Sequence, residues 1–153
     1  MIIKEDIEKA FSKKDRKYLW IPEDLLKNEN ILARPFFGWV HRSGHIAFMF
    51  QNGFQRNKNK GIVLSISPLK DNRRVCMCDW CLSVYPVSRI AQLGYQQTKT
   101  RSVGLYACGQ LDCVDRILSP DTNNVHSMRE TLTKEQKIQR YYARIGNFFD
   151  NSV

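Results

Sequence analysis

The sequence of 153 residues predicts an α+β fold, a small antiparallel sheet with helices at its N-terminal and C-terminal ends. Apolar residues recur at helical spacing over 3–19 and again over 133–149. Between these segments, residues 36–118 hold short apolar runs separated by turn-forming residues, a pattern typical of strands. An apolar fraction of 42% is ordinary for a globular protein. We therefore expect one domain over 1–153, with a core that needs no disulfides.

The predicted N-terminal helix, 3–19, carries one apolar stripe with lysines and acids between its members. The stripe consists of Ile3, Ile7, Ala10, Phe11 and Tyr18. Pro22 ends this segment because the residue before a proline is pushed out of the α region. A further turn of helix is expected over 23–27.

The middle of the chain predicts strands. Two apolar runs, 36–40 and 46–50, flank a turn-type cluster around Gly44 and predict a hairpin. Further strands are predicted over 62–66, 82–87 and 103–108. The polar, basic stretch 94–102 is predicted to be a loop, and the turn-forming residues of 119–124 predict a linker.

The C-terminal helix, 133–149, begins with a capping box made by Thr133 and Gln136. Its apolar stripe recurs every three or four residues and consists of Ile138, Tyr141, Tyr142, Ile145, Phe148 and Phe149. Such a stripe packs on its own domain in most proteins, and the alternative is a face that binds a partner.

Four of the five cysteines fall into two pairs. Cys78 and Cys81 have C-x2-C spacing, and Cys108 and Cys113 have C-x4-C spacing, with 26 residues between the pairs. An odd number of cysteines in a reducing compartment favours a metal site or free thiols over a disulfide framework. Cys76 with Cys81 would be an alternative x4 pair, but C-x2-C is the commoner zinc knuckle.

The two pairs predict one zinc ion in an embedded treble-clef zinc finger, a knuckle and hairpin followed by ligands at a helix start. Four thiolates close every position of a tetrahedral ion and leave none for water or substrate. The zinc is therefore expected to be structural, contributing on the order of 10 kcal/mol to folding.

The sequence lacks the signature motifs of several enzyme classes. The sequence has no glycine-rich phosphate loop, no HExxH and no Gly-x-Ser-x-Gly elbow. His41 and His45 flank Gly44 across the predicted turn, so we do not expect them to bind metal. We expect neither an enzyme nor a small-molecule substrate. The charged start of the chain and its short apolar runs indicate a cytoplasmic protein without a signal peptide or membrane span.

The net charge of +9 is concentrated in the middle of the chain. Residues 56–101 carry nine basic and two acidic side chains, a net of +7. This predicts an anionic partner, RNA or an acidic protein face, and the alternative is a solvated basic loop. The candidate partner contacts are the basic residues that flank the cysteine pairs: Arg73, Arg74, Lys99 and Arg101.

The run from Arg101 to Cys113, RSVGLYACGQLDC, resembles the signature of the FusB-type family. These are the elongation factor G-binding proteins with a C-terminal treble-clef zinc finger. Phe37-Gly38-Trp39 and the run from Gly61 to Leu64 are similar to strand motifs of that family. The resemblance spans roughly 3–150 and implies that the four paired cysteines are the zinc ligands.

The resemblance also implies a function, a zinc-stabilised adaptor that binds elongation factor G or the ribosome during translation. Members that confer resistance to fusidic acid have an additional N-terminal helical bundle, which we do not expect in this chain. Two alternatives remain: a module that binds ribosomal RNA through the basic 56–101 segment, and a small zinc-stabilised interaction protein with an unrelated partner.

Overall fold

A computed structural model of the chain describes residues 1–54, 57–69, 75–119 and 131–152. It confirms the predicted α+β class, with five helices and two sheets in the described residues. The chain divides into two compact units, Met1–Leu64 and Ser65–Val153. None of the helices described is long and apolar enough to cross a membrane.

The first unit consists of short helices followed by strands. Its elements are α1 (Lys4–Ala10), a 3-10 turn (Asp15–Lys17), α2 (Glu23–Leu26), α3 (Glu29–Leu32), β1 (Phe36–Val40), β2 (Ile46–Gln51) and the first part of β3 (Lys60–Pro68). The predicted hairpin is confirmed, because β1 and β2 pair antiparallel with Trp39 opposite Phe48. The β3 strand is longer than the predicted 62–66.

The helix predicted over 3–19 is wrong in its extent, because α1 ends at Ala10. Phe11 adopts an extended backbone (φ −87°, ψ 148°), and its ring is buried in the core. The Ser12 hydroxyl then accepts a hydrogen bond from the Asp15 amide at 3.2 Å and starts the separate 3-10 turn. A serine side chain that satisfies a free amide starts a new helical turn in this way.

The core of the first unit is built from aromatic rings. The Phe11 ring packs edge-on against Trp39 and Phe48, with centroids 6.1 and 6.0 Å away. On the same sheet face, the centroids of Phe37 and Phe50 are 4.9 Å apart. The Trp39 indole donates a hydrogen bond to the Trp20 carbonyl at 2.6 Å, so its one polar atom is satisfied.

The second unit holds the later strands and the two remaining helices. Its elements are the end of β3, β4 (Val75–Met77), β5 (Val84–Pro86), a 3-10 turn (Val87–Arg89), β6 (Ile90–Gln96), β7 (Ser102–Cys108), α4 (Cys113–Leu118) and α5 (Lys134–Ser152). The five-stranded sheet has the order β1-β2-β3-β6-β7, and β4 pairs with β5 in a sheet of their own.

The loop predicted over 94–102 is wrong in its first part, because β6 runs to Gln96. Strand β6 pairs antiparallel with both neighbours, so that Gly94 lies opposite Ser65 of β3 and Gly104 of β7. Glycine and glutamine on one face hid the strand pattern, while Leu93 on the other face is fully buried. The strand predicted over 82–87 is shorter, because Leu82 has a left-handed backbone (φ 58°).

Helix α5 confirms the predicted capping box. The Gln136 amide donates to the Thr133 hydroxyl at 3.2 Å, and the Thr133 amide donates to the Gln136 side chain at 2.9 Å. The helix extends to Ser152, three residues beyond the prediction. Tyr141, Ile145 and Phe149 are buried, so the apolar stripe packs within the protein. Most of the linker predicted over 119–124 lies outside the described residues.

We predict that Gly61→Ala destabilises the protein by about 1–3 kcal/mol, the usual cost of overpacking a core. A Cβ atom at Gly61 would lie 2.6 Å from the Phe11 ring, and the surrounding aromatic rings prevent that ring from moving. The free energy of unfolding in urea measures the effect. Gly104→Ala is the control, because its Cβ would meet no atom closer than 3.8 Å. Equal stability of the two variants would contradict this packing.

We also predict that Thr133→Ala lowers the free energy of unfolding by about 1 kcal/mol, since it removes the oxygen that caps α5. Urea denaturation followed by circular dichroism measures the loss. Thr131→Ala is the control, because Thr131 is exposed and precedes the helix. An unchanged midpoint for Thr133→Ala would show that the cap contributes nothing to stability.

Candidate metal centre

The four paired cysteines converge at one point in the second unit. The sulfur atoms of Cys78, Cys81, Cys108 and Cys113 all lie within 4.8 Å of one another. Their side chains are 0–2% exposed. The Cys78 and Cys113 sulfurs are 3.7 Å apart, and those of Cys81 and Cys108 are 3.8 Å apart.

These distances fit a tetrahedral zinc ion. Zinc–sulfur bonds of about 2.3 Å at tetrahedral angles place the sulfurs about 3.8 Å apart. The sulfur–sulfur distances are too long for disulfides, and all five cysteines are free thiols. Cys76 does not belong to the cluster; it lies on β4, opposite Tyr85 of β5. The donor set is therefore the one that the spacing predicts, and it fits one structural zinc.

The first pair is held by a tight turn. The Leu82 amide donates to the Cys78 carbonyl at 2.9 Å, and the Cys81 amide points at the Cys78 sulfur at 3.5 Å. The turn requires the left-handed backbone of Leu82, which costs a residue with a side chain roughly 1–2 kcal/mol. Such strain persists only where the surroundings fix it. The backbone of the knuckle therefore holds the sulfur atoms of Cys78 and Cys81 so that both face the same position.

The second pair joins a strand to a helix. Cys108 is the last residue of β7, and Cys113 is the first residue of α4. The chain between them turns at Leu111, whose amide donates to the Cys108 carbonyl at 2.9 Å and whose φ is 56°. Both ligand pairs thus use a left-handed leucine to reverse the chain. The predicted position of the second pair, at a strand end and a helix start, is confirmed.

The thiols cannot all ionise independently. A hydrogen bond with the Cys108 thiol lowers the pKa of Cys81 far below that of an ordinary thiol. Hydrogen bonds with Cys108, Cys78 and Cys81, together with burial, raise the pKa of Cys113 well above its usual value. Negative charge on one sulfur opposes charge on the next, and a divalent cation allows all four to be thiolates.

Sequence reasoning missed two polar residues beside the cluster. Asp79, inside the knuckle, pairs twice with Tyr106 of β7. Its amide donates to the Tyr106 carbonyl at 2.7 Å, and its carboxylate accepts from the Tyr106 amide at 2.7 Å. Arg116 lies 4.6 Å from the centre of the Tyr85 ring and donates to the Asp112 carboxylate at 3.1 Å. Neither residue type carries a spacing signal that could have indicated these roles.

The predicted partner contacts do not all fall within the described residues. Lys99 and Arg101 are exposed in the turn between β6 and β7. Strand β7 separates that turn from the metal centre by roughly 20 Å, given about 3.3 Å per residue. Arg73 and Arg74 lie outside the described residues. His41 and His45 belong to the first unit and are not part of the cysteine cluster.

A family model described as FBP C-terminal treble-clef zinc-finger matches residues 6–152. The chain belongs to this family. Its treble clef is visible in the knuckle of Cys78 and Cys81, the β6–β7 hairpin that ends at Cys108, and the helix that begins at Cys113. The family assignment agrees with the resemblance of the 101–113 run.

Comparison with individual proteins adds no further relative. No curated protein and no solved structure matches the chain. The family description and the buried donor set together support one structural zinc, held by all four clustered cysteines.

We predict about one zinc per chain, retained in Cys76→Ser and lost in Cys81→Ser and Cys113→Ser. A serine hydroxyl is a poor zinc ligand, and three thiolates leave the site open to water and chelators. Elemental analysis of the purified proteins by mass spectrometry measures the ratio of zinc to protein. Full zinc content in Cys81→Ser or Cys113→Ser would overturn the ligand assignment, and zinc loss in Cys76→Ser would extend it.

Proposed function

We propose that this chain is a non-catalytic cytoplasmic adaptor that binds elongation factor G, free or on the ribosome. The observation that carries the proposal is the family match over 6–152, taken with the resemblance of the 101–113 run to factor-binding proteins. The closed donor set supports a non-catalytic role, because a zinc ion with four thiolates has no position for water or substrate.

The β6–β7 hairpin is the surface we propose for docking. The half of one face nearest the turn is polar, and its exposed residues are Gln92, Gln96, Ser102 and Gly104. Ala91, Leu93 and Tyr95 of β6 lie on the opposite face, and Leu93 among them is fully buried. This exposed part of the sheet face is available to a partner.

The charge of this hairpin supports an acidic partner. Residues 82–111 contain no aspartate or glutamate, and their basic residues are Arg89, Lys99 and Arg101. Lys99 and Arg101 occupy the exposed turn, and neither forms a salt bridge within the described part of the chain. Positive charge at an exposed tip accelerates encounter with a negatively charged surface and adds specificity.

The turn itself is ordered by its own hydrogen bonds. The Gln97 amide donates to the Arg101 carbonyl at 2.9 Å, and the Thr98 hydroxyl accepts from the Arg101 amide at 3.0 Å. The backbone that carries Lys99 and Arg101 is therefore fixed before a partner arrives. A preorganised contact loses less conformational entropy on binding.

We predict that purified elongation factor G is retained by the immobilised protein at low salt and that Lys99→Glu with Arg101→Glu weakens retention at least tenfold. Charge reversal at the tip would repel an acidic face. The control is Lys13→Glu with Lys14→Glu, which makes the same change in net charge at exposed residues of the first unit. Binding affinities at several salt concentrations measure the effect.

Three outcomes would decide against this proposal. No retention of the factor by a zinc-loaded protein would refute it. Equal loss in both double variants would refute the hairpin as the docking surface. Binding to ribosomal RNA alone, with a steep fall in affinity as salt rises, would replace the adaptor by an RNA-binding module, because counterion release from phosphates produces that slope.

A further inference from the structure

We propose that α5 stabilises the zinc centre by contacting the knuckle. Arg144 and Asp79 are positioning residues that hold the knuckle in its metal-binding geometry. The proposal rests on the metal centre alone and is independent of elongation factor G.

One side of α5 contacts all three residues of the knuckle that follow Cys78. The Arg144 Nε donates to the Asp79 carbonyl at 2.5 Å, and an Arg140 Nη donates to the Cys81 carbonyl at 3.3 Å. The Phe148 ring packs edge-on against Trp80, with centroids 5.9 Å apart. These helix residues are spaced by four, so they share one face.

Asp79 connects these contacts of α5 with the knuckle to the second ligand pair. Its carbonyl accepts from α5, while its amide and carboxylate pair with Tyr106 of β7. Tyr106 lies two residues before Cys108 on the same strand. A single residue of the knuckle is therefore bonded to the helix and to the strand that carries the third ligand.

Backbone carbonyls of the knuckle are the part of the centre that needs outside support. The turn is already strained at Leu82 (φ 58°), and its Asp79 and Cys81 carbonyls accept hydrogen bonds from α5. Loss of a group that is bonded to a metal-ligating residue typically lowers metal affinity 10–100-fold. Arg140 is bonded to the ligand residue Cys81, and Arg144 to the residue next to the ligand Cys78. Because binding free energies are reciprocal, zinc binding in turn favours the docked position of α5.

The hydrogen bonds from α5 to the knuckle can be removed without disturbing the packing of the helix. Tyr141, Ile145 and Phe149 are buried and hold α5 on the unit through apolar area, whereas Arg144 is exposed. Removing its guanidinium therefore leaves the apolar stripe intact. Alanine also has the highest helix propensity, so Arg144→Ala does not weaken the helix itself.

The test is the rate of zinc transfer to excess chelator from the zinc-loaded full chain. We expect about tenfold faster release from Arg144→Ala than from the unchanged protein, in line with the loss of an outer-shell donor. Arg144→Lys, which keeps a cationic donor on a long side chain, should fall between the two. Gln139→Ala is the matched control, since Gln139 is exposed on the same helix, and its rate should be unchanged.

A second measurement separates positioning from general stability. With Co²⁺ in place of zinc, we expect the visible absorption of the tetrahedral thiolate site to change in Arg144→Ala and in Asp79→Ala, which removes the acceptor of the Tyr106 amide, but not in Gln139→Ala. An unchanged release rate and an unchanged cobalt spectrum in folded Arg144→Ala would overturn the proposal. If that variant does not fold, Arg144→Gln and Arg140→Ala are judged by the same two criteria.

Discussion

The second unit depends on one constraint, four thiol sulfurs buried within 4.8 Å of one another. Burial and mutual repulsion prevent all four from ionising unless a cation lies among them. The knuckle, the strand end at Cys108 and the helix start at Cys113 are the three backbone features that meet this constraint. The sulfur cluster also positions the β6–β7 hairpin and α5. The hairpin carries the ligand Cys108, and α5 is hydrogen-bonded to the knuckle.

The parts of the fold that the sequence predicted correctly have local causes. The α5 cap depends on two side chains three residues apart, and the metal pairs depend on cysteine spacing, so both are readable in a short window. The β1–β2 hairpin has strong apolar runs on either side of Gly44. The end of α1 depends instead on the burial of the Phe11 ring among rings distant in sequence. Strand β6, whose own sequence pattern is weak, depends on its pairing with β3 and β7.

The same distinction applies to the site. All four zinc ligands could be found from spacing, because cysteine chemistry restricts the alternatives. Asp79 could not, since its role comes from a strand 27 residues later in the sequence, and Arg144 contacts a carbonyl 65 residues earlier. The left-handed leucines could not be found either, because glycine is the residue that normally indicates such a backbone. In the proposed function, zinc does no chemistry but fixes the hairpin whose basic tip meets an acidic partner.

The most direct measurement of the central claim is X-ray absorption at the zinc edge of the purified protein. A closed structural centre predicts a first shell of four sulfurs at about 2.3 Å and no lighter atom. A nitrogen or oxygen in that shell, or fewer than four sulfurs, would contradict it, because the ion would then have a position open to water and the site would no longer be purely structural.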